Sequence, residues 1–186
     1  KVERPETGDD ARHWGPPFWH GAAAYFQALN RDKYSITIDF KNSDEVKRLR
    51  RLMIESDGVV LQNFRPGLVA EMGISAANIR GENSRIIYCN IGAFGDAGPY
   101  KERRGYDPLM QASAGLMSVT GEGGERPPVR VGTSIIDMGT GMWTALGIMA
   151  AIRQRDETGE GCTIDASLYE TAIAWMTYHA AAYDAS

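Results

Sequence analysis

Short apolar runs alternate with helix-like segments through most of this sequence, and that alternation restricts the fold more than any other feature. Three of the runs, typical of buried strands, lie at 58–61, 85–90 and 162–166. Apolar residues at helical spacing predict a helix after Asn42, a longer one from Asp137 to about Arg155, and a last one at 168–183. Strands separated by helices favour an α/β fold with a Rossmann-like, mostly parallel sheet and flanking helices.

The segments between these elements give weaker signals. Alternating apolar and polar residues predict a half-buried strand at 34–40, and the Pro- and Gly-containing segment 1–21 is interpreted as an ordered loop. The remaining predictions are short helices at 68–72 and 106–117, a loop at 92–105 and a surface turn at 121–128. Asn42, with Glu45 three residues later, is suited to cap the helix that follows it. We see neither a repeat nor an internal linker, so one domain is predicted.

The composition argues against several classes of function. A net charge of −4 disfavours general binding to nucleic acids or anionic membranes, which require a basic surface. The longest apolar run, 142–152, is too short to cross a bilayer, so we expect a soluble, cytoplasmic protein. Cys89 and Cys162 are too few for a disulfide framework and are expected to be reduced core thiols. The histidines lack metal-ligand spacing, so no metal site is predicted.

Three common catalytic motifs are missing or incomplete. The sequence contains no Gly-Lys pair, which excludes a P-loop, and no Gly-x-Ser-x-Gly motif of serine hydrolases. The stretch 139–144 begins like a dinucleotide-binding fingerprint, but Thr144 stands where the third glycine belongs. Chemistry must therefore be sought in another pattern.

One carboxylate stands out in the stretch VGTSIIDMGTGM at 131–142. Asp137 is the only ionisable residue there, and Gly139 and Gly141 follow it. One interpretation is structural, because Asp is among the best N-cap residues and would cap the following helix. The other is functional: a carboxylate at a helix start stays ionised, nearby glycines would let a bulky ligand approach, and the carboxylate could act as a nucleophile.

Nine short stretches resemble, in the same order, the class III CoA-transferases, the family of formyl-CoA transferase and carnitine CoA-transferase. The stretches are KVERP (1–5), KYS (33–35), NFRPG (63–67), IY (87–88), GDAGPY (95–100), GYD (105–107), SAGLM (113–117), PVRVG (128–132) and TGEG (158–161). The resemblance spans nearly the whole chain. It implies the large domain of a CoA-transferase fold in which two chains interlock as a homodimer.

The resemblance implies a role for Asp137. In that family an aspartate at the matching position attacks the donor thioester to give a mixed anhydride, and the freed CoA thiolate then forms an aspartyl-CoA thioester. The carboxylate of the acceptor acid attacks next. The implied substrates are an acyl-CoA and a small carboxylic acid, with CoA as a substrate and no tightly bound cofactor.

The resemblance also implies where CoA binds. The arginine near the adenine end matches Arg4, and the positions bordering the nucleotide match Ile38, Phe40 and Lys41. A loop at the cofactor and a segment flanking the pantetheine arm match, respectively, Asn63, Phe64 and Arg65, and Arg104, Gly105, Tyr106 and Asp107. Basic side chains suit the phosphates of CoA, and apolar ones suit its adenine and arm.

The match has two departures. Glu71 stands where formyl-CoA transferases carry an arginine, so one phosphate contact is expected to be missing or supplied elsewhere. Residues 1–186 are also interpreted as a partial large domain, without the family's N-terminal strand and helix or its C-terminal portion.

Two alternatives stay open. An α-methylacyl-CoA racemase would share the fold and the CoA site, but that branch places a histidine at the position of Tyr106, and a phenol is a poor proton acceptor at neutral pH. A non-catalytic CoA-binding module, in which Asp137 only caps a helix, is the second.

Overall fold

The computed structural model describes residues 1–185 and divides the chain into two compact units. The first is Lys1–Leu52, and the second begins at Met53.

The first unit contains two pairs of very short strands. Strand β1 (Val2–Glu3) pairs in parallel with β4 (Ile36–Thr37), and β2 (Phe18–Trp19) pairs antiparallel with β3 (Ala22–Ala23), which leads into helix α1 (Ala24–Leu29). The prediction of a loop at 1–21 was therefore wrong for β1, β2 and a 3₁₀ turn at Asp10–His13. The predicted strand at 34–40 is shorter than expected, because β1 offers it a partner at two positions alone.

A buried carboxylate organises this unit. Glu3 accepts two hydrogen bonds from the Arg12 guanidinium, at 2.8 and 2.9 Å, and further bonds from the Ser35 hydroxyl and the Asp9 backbone N–H. These bonds, chiefly those from Arg12, lower the pKa of Glu3 to about 2 against the opposing effect of burial. The carboxylate thereby ties β1 to the 3₁₀ turn and to the segment before β4.

Helix α2 (Ser43–Glu55) begins in the first unit, whose boundary falls within it. The Asn42 side chain accepts hydrogen bonds from the backbone N–H groups of Asp44 and Glu45, which confirms the predicted cap. The carboxylate of Glu45 bonds instead to the backbone N–H of Asp39. This helix buries Leu49 and exposes Lys47, Arg48 and Arg51, while Arg50 is half-buried.

The second unit contains a three-stranded parallel sheet in the order β5-β6-β7, which confirms the predicted parallel α/β arrangement. The strands are β5 (Val59–Gln62), β6 (Ile87–Gly92) and β7 (Thr163–Ser167). The middle strand begins with fully buried residues, including Tyr88 and Cys89. Burial raises the pKa of the Cys89 thiol to about 11, as expected for a core thiol, whereas Cys162, also predicted to lie in the core, is only half-buried.

Six helices lie wholly within the described part of this unit, residues 53–185. They are α3 (Leu68–Glu71), α4 (Ala76–Arg80), α5 (Asp107–Ser113), α6 (Ile135–Thr158), α7 (Leu168–Trp175) and α8 (Thr177–Asp184). The helix predicted at 106–117 was too long, because Gly115 adopts a left-handed φ of 86° and only a 3₁₀ turn follows. The single helix predicted at 168–183 is two helices, which meet at Met176.

Helix α6 packs against α5, α7, β6 and β7. Buried Ile136 contacts Met110 and Ala172 in an apolar cluster, and Gly139 allows α7 to come close, since a Cβ there would lie 3.0 Å from Trp175. Helix α6 is longer than the apolar run 142–152, and by length and composition alone it could cross a membrane. Core helices of soluble proteins can have the same length and composition. One side of α6 packs on the sheet, α5 and α7, while Met142, Leu146 and Met149 are more than half exposed.

Candidate active site

Asp137 lies in the first turn of α6, two residues after the helix begins at Ile135. The structural interpretation of Asp137 as the N-cap was therefore wrong, because the N-cap position belongs to Ser134. The Asp137 side chain is exposed. Its position in the helix is fixed while its carboxylate can still be reached from solvent.

A second carboxylate, from another helix, caps α6. Asp107 begins α5 and is only 2% exposed. Its Oδ2 accepts hydrogen bonds from the backbone N–H groups of Ile136 at 2.7 Å and Asp137 at 3.2 Å. A buried carboxylate on a helix N-terminus is favoured both by these bonds and by the helix dipole. Asp107 therefore holds the turn that carries Asp137.

The other oxygen of Asp107 is held by Gln111. The Gln111 Nε2 donates to Asp107 Oδ1 at 2.5 Å, and its Oε1 accepts from the backbone N–H of Val131 at 2.8 Å. Gln111 is fully buried. Sequence reasoning missed this network because its members lie up to 30 residues apart and no local spacing signals it.

The environment raises the pKa of Asp137. The main cause is desolvation by surrounding protein atoms, and the negative charge of Asp107 adds to it. The expectation that the helix start alone keeps Asp137 ionised was therefore incomplete. A carboxylate whose charged form is disfavoured gains more when a covalent bond removes that charge, as happens on acylation.

The glycines after Asp137 differ from each other. Gly139 is buried against Trp175 and Thr171, so the expectation that it leaves space for a ligand was wrong. A Cβ on Gly141 would meet no described atom within 4 Å. Approach to Asp137 along this helix is open on the side of Gly141.

The segment Arg104 to Asp107 reaches the same place. The Asp107 carboxylate bonds to the Asp137 backbone. Tyr106 precedes Asp107 in the chain and is 65% exposed. Gly105 is required there, since a Cβ would lie 2.8 Å from the Cβ of Ala93. Arg104 is exposed. The role of this segment in binding CoA stays a prediction. Both oxygens of the Asp107 carboxylate already accept hydrogen bonds from the protein itself.

The loop after β5 carries the second predicted group. Asn63 is exposed, and Phe64 donates its backbone N–H to the Gln62 side chain. Arg65 forms an ion pair with Glu71 at 3.2 Å. The residue that departs from the family pattern thus engages a basic residue assigned to CoA, and Arg65 would have to leave Glu71 to bind a phosphate.

Polar side chains continue from this loop across the sheet. The Gln62 amide donates to Asn90 Oδ1 at 2.7 Å, and the Asn90 amide donates to Asp165 Oδ1 at 2.6 Å. The three residues are direct neighbours in the strand register. They form what we call the amide ladder of β5, β6 and β7.

The predicted nucleotide-binding residues Arg4, Ile38, Phe40 and Lys41 all lie in the first unit. Arg4 is exposed, forms an ion pair with Asp10 and lines an open depression of about 300 Å³. Ile38 is buried and Lys41 is exposed. Among residues 1–185, no group of three His, Cys, Asp or Glu side chains could hold a metal ion.

Comparison with known proteins gives consistent results. The sequence profile described as CoA-transferase family III matches residues 1–186. The chain is 41% identical over 184 residues to the mouse (Mus musculus) succinyl-CoA:glutarate CoA-transferase, covering 98% of this chain and 42% of that protein. It is 38% identical over 173 residues to the formyl-CoA:oxalate CoA-transferase of Rhodopseudomonas palustris, covering 93% of this chain and 40% of that protein.

A solved structure agrees with these sequence matches. The crystal structure of a CAIB/BAIF family protein from Brucella suis is 42% identical and superposes with a TM-score of 0.93, covering all of this chain and 50% of that one. The chain therefore spans about two fifths to one half of the proteins to which it is similar.

Proposed function

The chain belongs to CoA-transferase family III, and from this premise we propose that the whole protein moves CoA from an acyl-CoA to a carboxylic acid through a thioester on Asp137. The observation that carries the proposal is the placement of Asp137: an exposed carboxylate in a helical turn that a second, buried carboxylate holds in place. Nucleophilic catalysis requires such a group, fixed in position and reachable by substrate.

The proposed reaction conserves the energy of the thioester. The Asp137 carboxylate attacks the acyl carbonyl and displaces the CoA thiolate, which gives a mixed anhydride of Asp137 and the donor acid. The thiolate then attacks the aspartyl carbonyl, which releases the donor acid and forms the aspartyl-CoA thioester. The acceptor carboxylate repeats the two steps in reverse and leaves with CoA. Each step exchanges one acyl bond for another, so no acyl group is lost to water.

Asp107 supports this chemistry without competing in it. Both of its oxygens are occupied by hydrogen bonds, and it is buried, so it is not available to attack a thioester. Its charge also lies beside Asp137 and contributes to the raised pKa of Asp137. Forming the neutral anhydride relieves that repulsion between the two carboxylates.

The first turn of α6 cannot supply an oxyanion hole. Its N–H groups are already bonded: Ile135 to the Thr133 carbonyl, Ile136 and Asp137 to Asp107, and Met138 to the Ser134 carbonyl. A tetrahedral intermediate needs preorganised donors for its oxyanion. In the proposed mechanism these donors come from another segment of the whole protein.

The substrates belong to the proposal as well. The two relatives named above act, by their names, with glutarate and with oxalate, which are both dicarboxylic acids. We therefore propose a short dicarboxylic acid as acceptor and a short acyl-CoA such as succinyl-CoA as donor. Arg4, Lys41, Arg65 and Arg104 are the exposed basic residues assigned to CoA, of which Arg65 would first have to leave Glu71, and the intact protein is proposed to work as a homodimer.

Covalent trapping tests the proposal. The intact protein is incubated with succinyl-CoA without acceptor and digested, and mass spectrometry should find CoA in thioester linkage on the peptide that contains Asp137. Hydroxylamine should convert that thioester to a hydroxamate. Asp137→Asn should abolish both the adduct and turnover, because an amide does not attack a thioester. The matched control is Asp156→Asn, an exposed aspartate of the same helix, which should behave as wild type. An adduct on another residue would refute the assignment.

A further inference from the structure

Gln111 connects three segments of the second unit. It lies in α5 one turn after Asp107 and is fully buried, with both ends of its amide hydrogen-bonded. Its Nε2 bonds to Asp107, and its Oε1 receives the Val131 N–H from the segment that leads into α6. Through Asp107 it also reaches the first turn of α6.

Asp107 depends on this amide. With Oδ2 bonded to two backbone N–H groups, Oδ1 needs its own donor in a site that is almost fully buried. A buried acceptor without a donor carries a large desolvation penalty, and more so when it is charged. Without Gln111 the Asp107 carboxylate would rotate in search of another donor for Oδ1, and this weakens its hold on the Ile136 and Asp137 N–H groups.

We propose that Gln111 is a positioning residue for CoA transfer: it fixes the orientation of Asp107 and, through it, the place of Asp137. This inference rests on the proposed function. Gln111 does not touch the substrate, since its amide is used entirely inside the protein. It also sets the distance between the segment at Val131 and α5, so that the turn entering α6 has one geometry.

The effect belongs to kcat and not to substrate binding. A misplacement of a reacting group by about 1 Å can slow a reaction on the order of 100-fold. The basic residues assigned to CoA, Arg4, Lys41, Arg65 and Arg104, are exposed and are not partners of Gln111 in its hydrogen bonds. Loss of Gln111 should therefore lower kcat while the KM for acyl-CoA changes little.

Gln111→Met in the intact protein tests this, because Met has nearly the same volume and lacks the amide. With succinyl-CoA and glutarate as probes, kcat should fall roughly 10- to 100-fold and KM should stay within about 3-fold. The control is Tyr88→Phe, which removes another buried hydrogen bond of the same unit, from the Tyr88 hydroxyl to the Ile74 carbonyl. That variant should lose stability but keep kcat per folded molecule.

The outcomes separate this inference from the proposed function. If wild type forms no adduct on Asp137, the proposed function fails. If wild type forms the adduct and Gln111→Met forms it at the same rate, the positioning role of Gln111 alone is refuted. Should Gln111→Met not fold, Gln111→Glu replaces it: its carboxylate still accepts from Val131 but repels Asp107, so it too should lower kcat with KM little changed. Wild-type kcat in that variant would equally overturn the inference.

Discussion

Exchanging the carboxylate at position 107 with the amide at position 111 tests their hydrogen bonds quantitatively. In Asp107→Asn the new side chain has one acceptor oxygen. If that oxygen keeps the Ile136 and Asp137 N–H groups, its NH₂ faces the NH₂ of Gln111. If the Gln111 amide rotates by 180°, the Gln111 oxygen accepts from the new amide at position 107, but the Gln111 NH₂ then faces the Val131 N–H. Either arrangement sets two buried donors against each other.

The magnitude follows from counting these contacts. One buried unsatisfied donor costs about 1–3 kcal/mol, and two remaining bonds that lose their charge assistance cost about 1 kcal/mol each. Removing a buried charge offsets part of this loss. Asp107→Asn should therefore lower the free energy of unfolding by about 2–4 kcal/mol.

A second substitution should repair the first. In the double variant Asp107→Asn with Gln111→Glu, the carboxylate at 111 accepts from Val131 and from the new amide, while the amide oxygen at 107 keeps both helix N–H groups. Every donor again has an acceptor. Urea unfolding of wild type, both single variants and the double variant at pH 7 should give a favourable coupling of at least about 2 kcal/mol. Additive losses would refute the hydrogen-bond assignment.

Four further predictions concern other features. Because its neighbours raise the pKa of Asp137, Asp137→Asn should be as stable as wild type at acid pH and more stable as pH rises through the raised pKa, measured by thermal unfolding. Arg104→Ala should raise the KM for acyl-CoA about 10-fold with a smaller change in kcat, measured by steady-state kinetics; a pure kcat loss would contradict its assignment to CoA. Gly141→Ala should gain about 0.5–1 kcal/mol of stability through helix propensity yet slow transfer, whereas in Gly161→Ala the Cβ would lie 2.3 Å from the Ile86 carbonyl oxygen and unfolding should become easier. Light scattering of the intact protein should give a dimer, and a fully active monomer would exclude the proposed assembly.

Parts of the fold could be predicted because their signals are local. The apolar run before Tyr88 and the cap at Asn42 depend on residues that are neighbours in sequence, and both were confirmed. The break in the helix expected at 168–183 could not be predicted, because Met176 is neither Gly nor Pro and gives no local stop signal. Short α1 and α4 give too few turns for a periodic pattern.

The candidate site divides in the same way. Asp137 was identified by its isolation in an apolar stretch and by a family resemblance. Its actual cap, Asp107, could not be identified as a cap, because 30 residues separate the two and the pairing exists only once α5 and α6 have packed. The assignment of Asp107 to the pantetheine segment concealed this structural role. A motif match does not distinguish a residue that contacts a ligand from one that supports a neighbouring helix turn.

The amide ladder of β5, β6 and β7 favours the native alignment of the sheet. Apolar parallel strands can slide past one another by two residues and still bury the same faces, so burial alone does not choose between such alignments. A slide of β5 by two positions would put Gln62 opposite Tyr88 in one direction or opposite Gly92 in the other, and either slide separates the Gln62 amide from Asn90. Either slide would lose the part-buried Gln62–Asn90 hydrogen bond, worth about 0.5–1.5 kcal/mol, which the native alignment keeps. The hydrogen bonds of these three polar side chains thus favour the native strand register. In Gln62→Leu the sheet should still form, but shifted registers of β5 should be populated beside the native one.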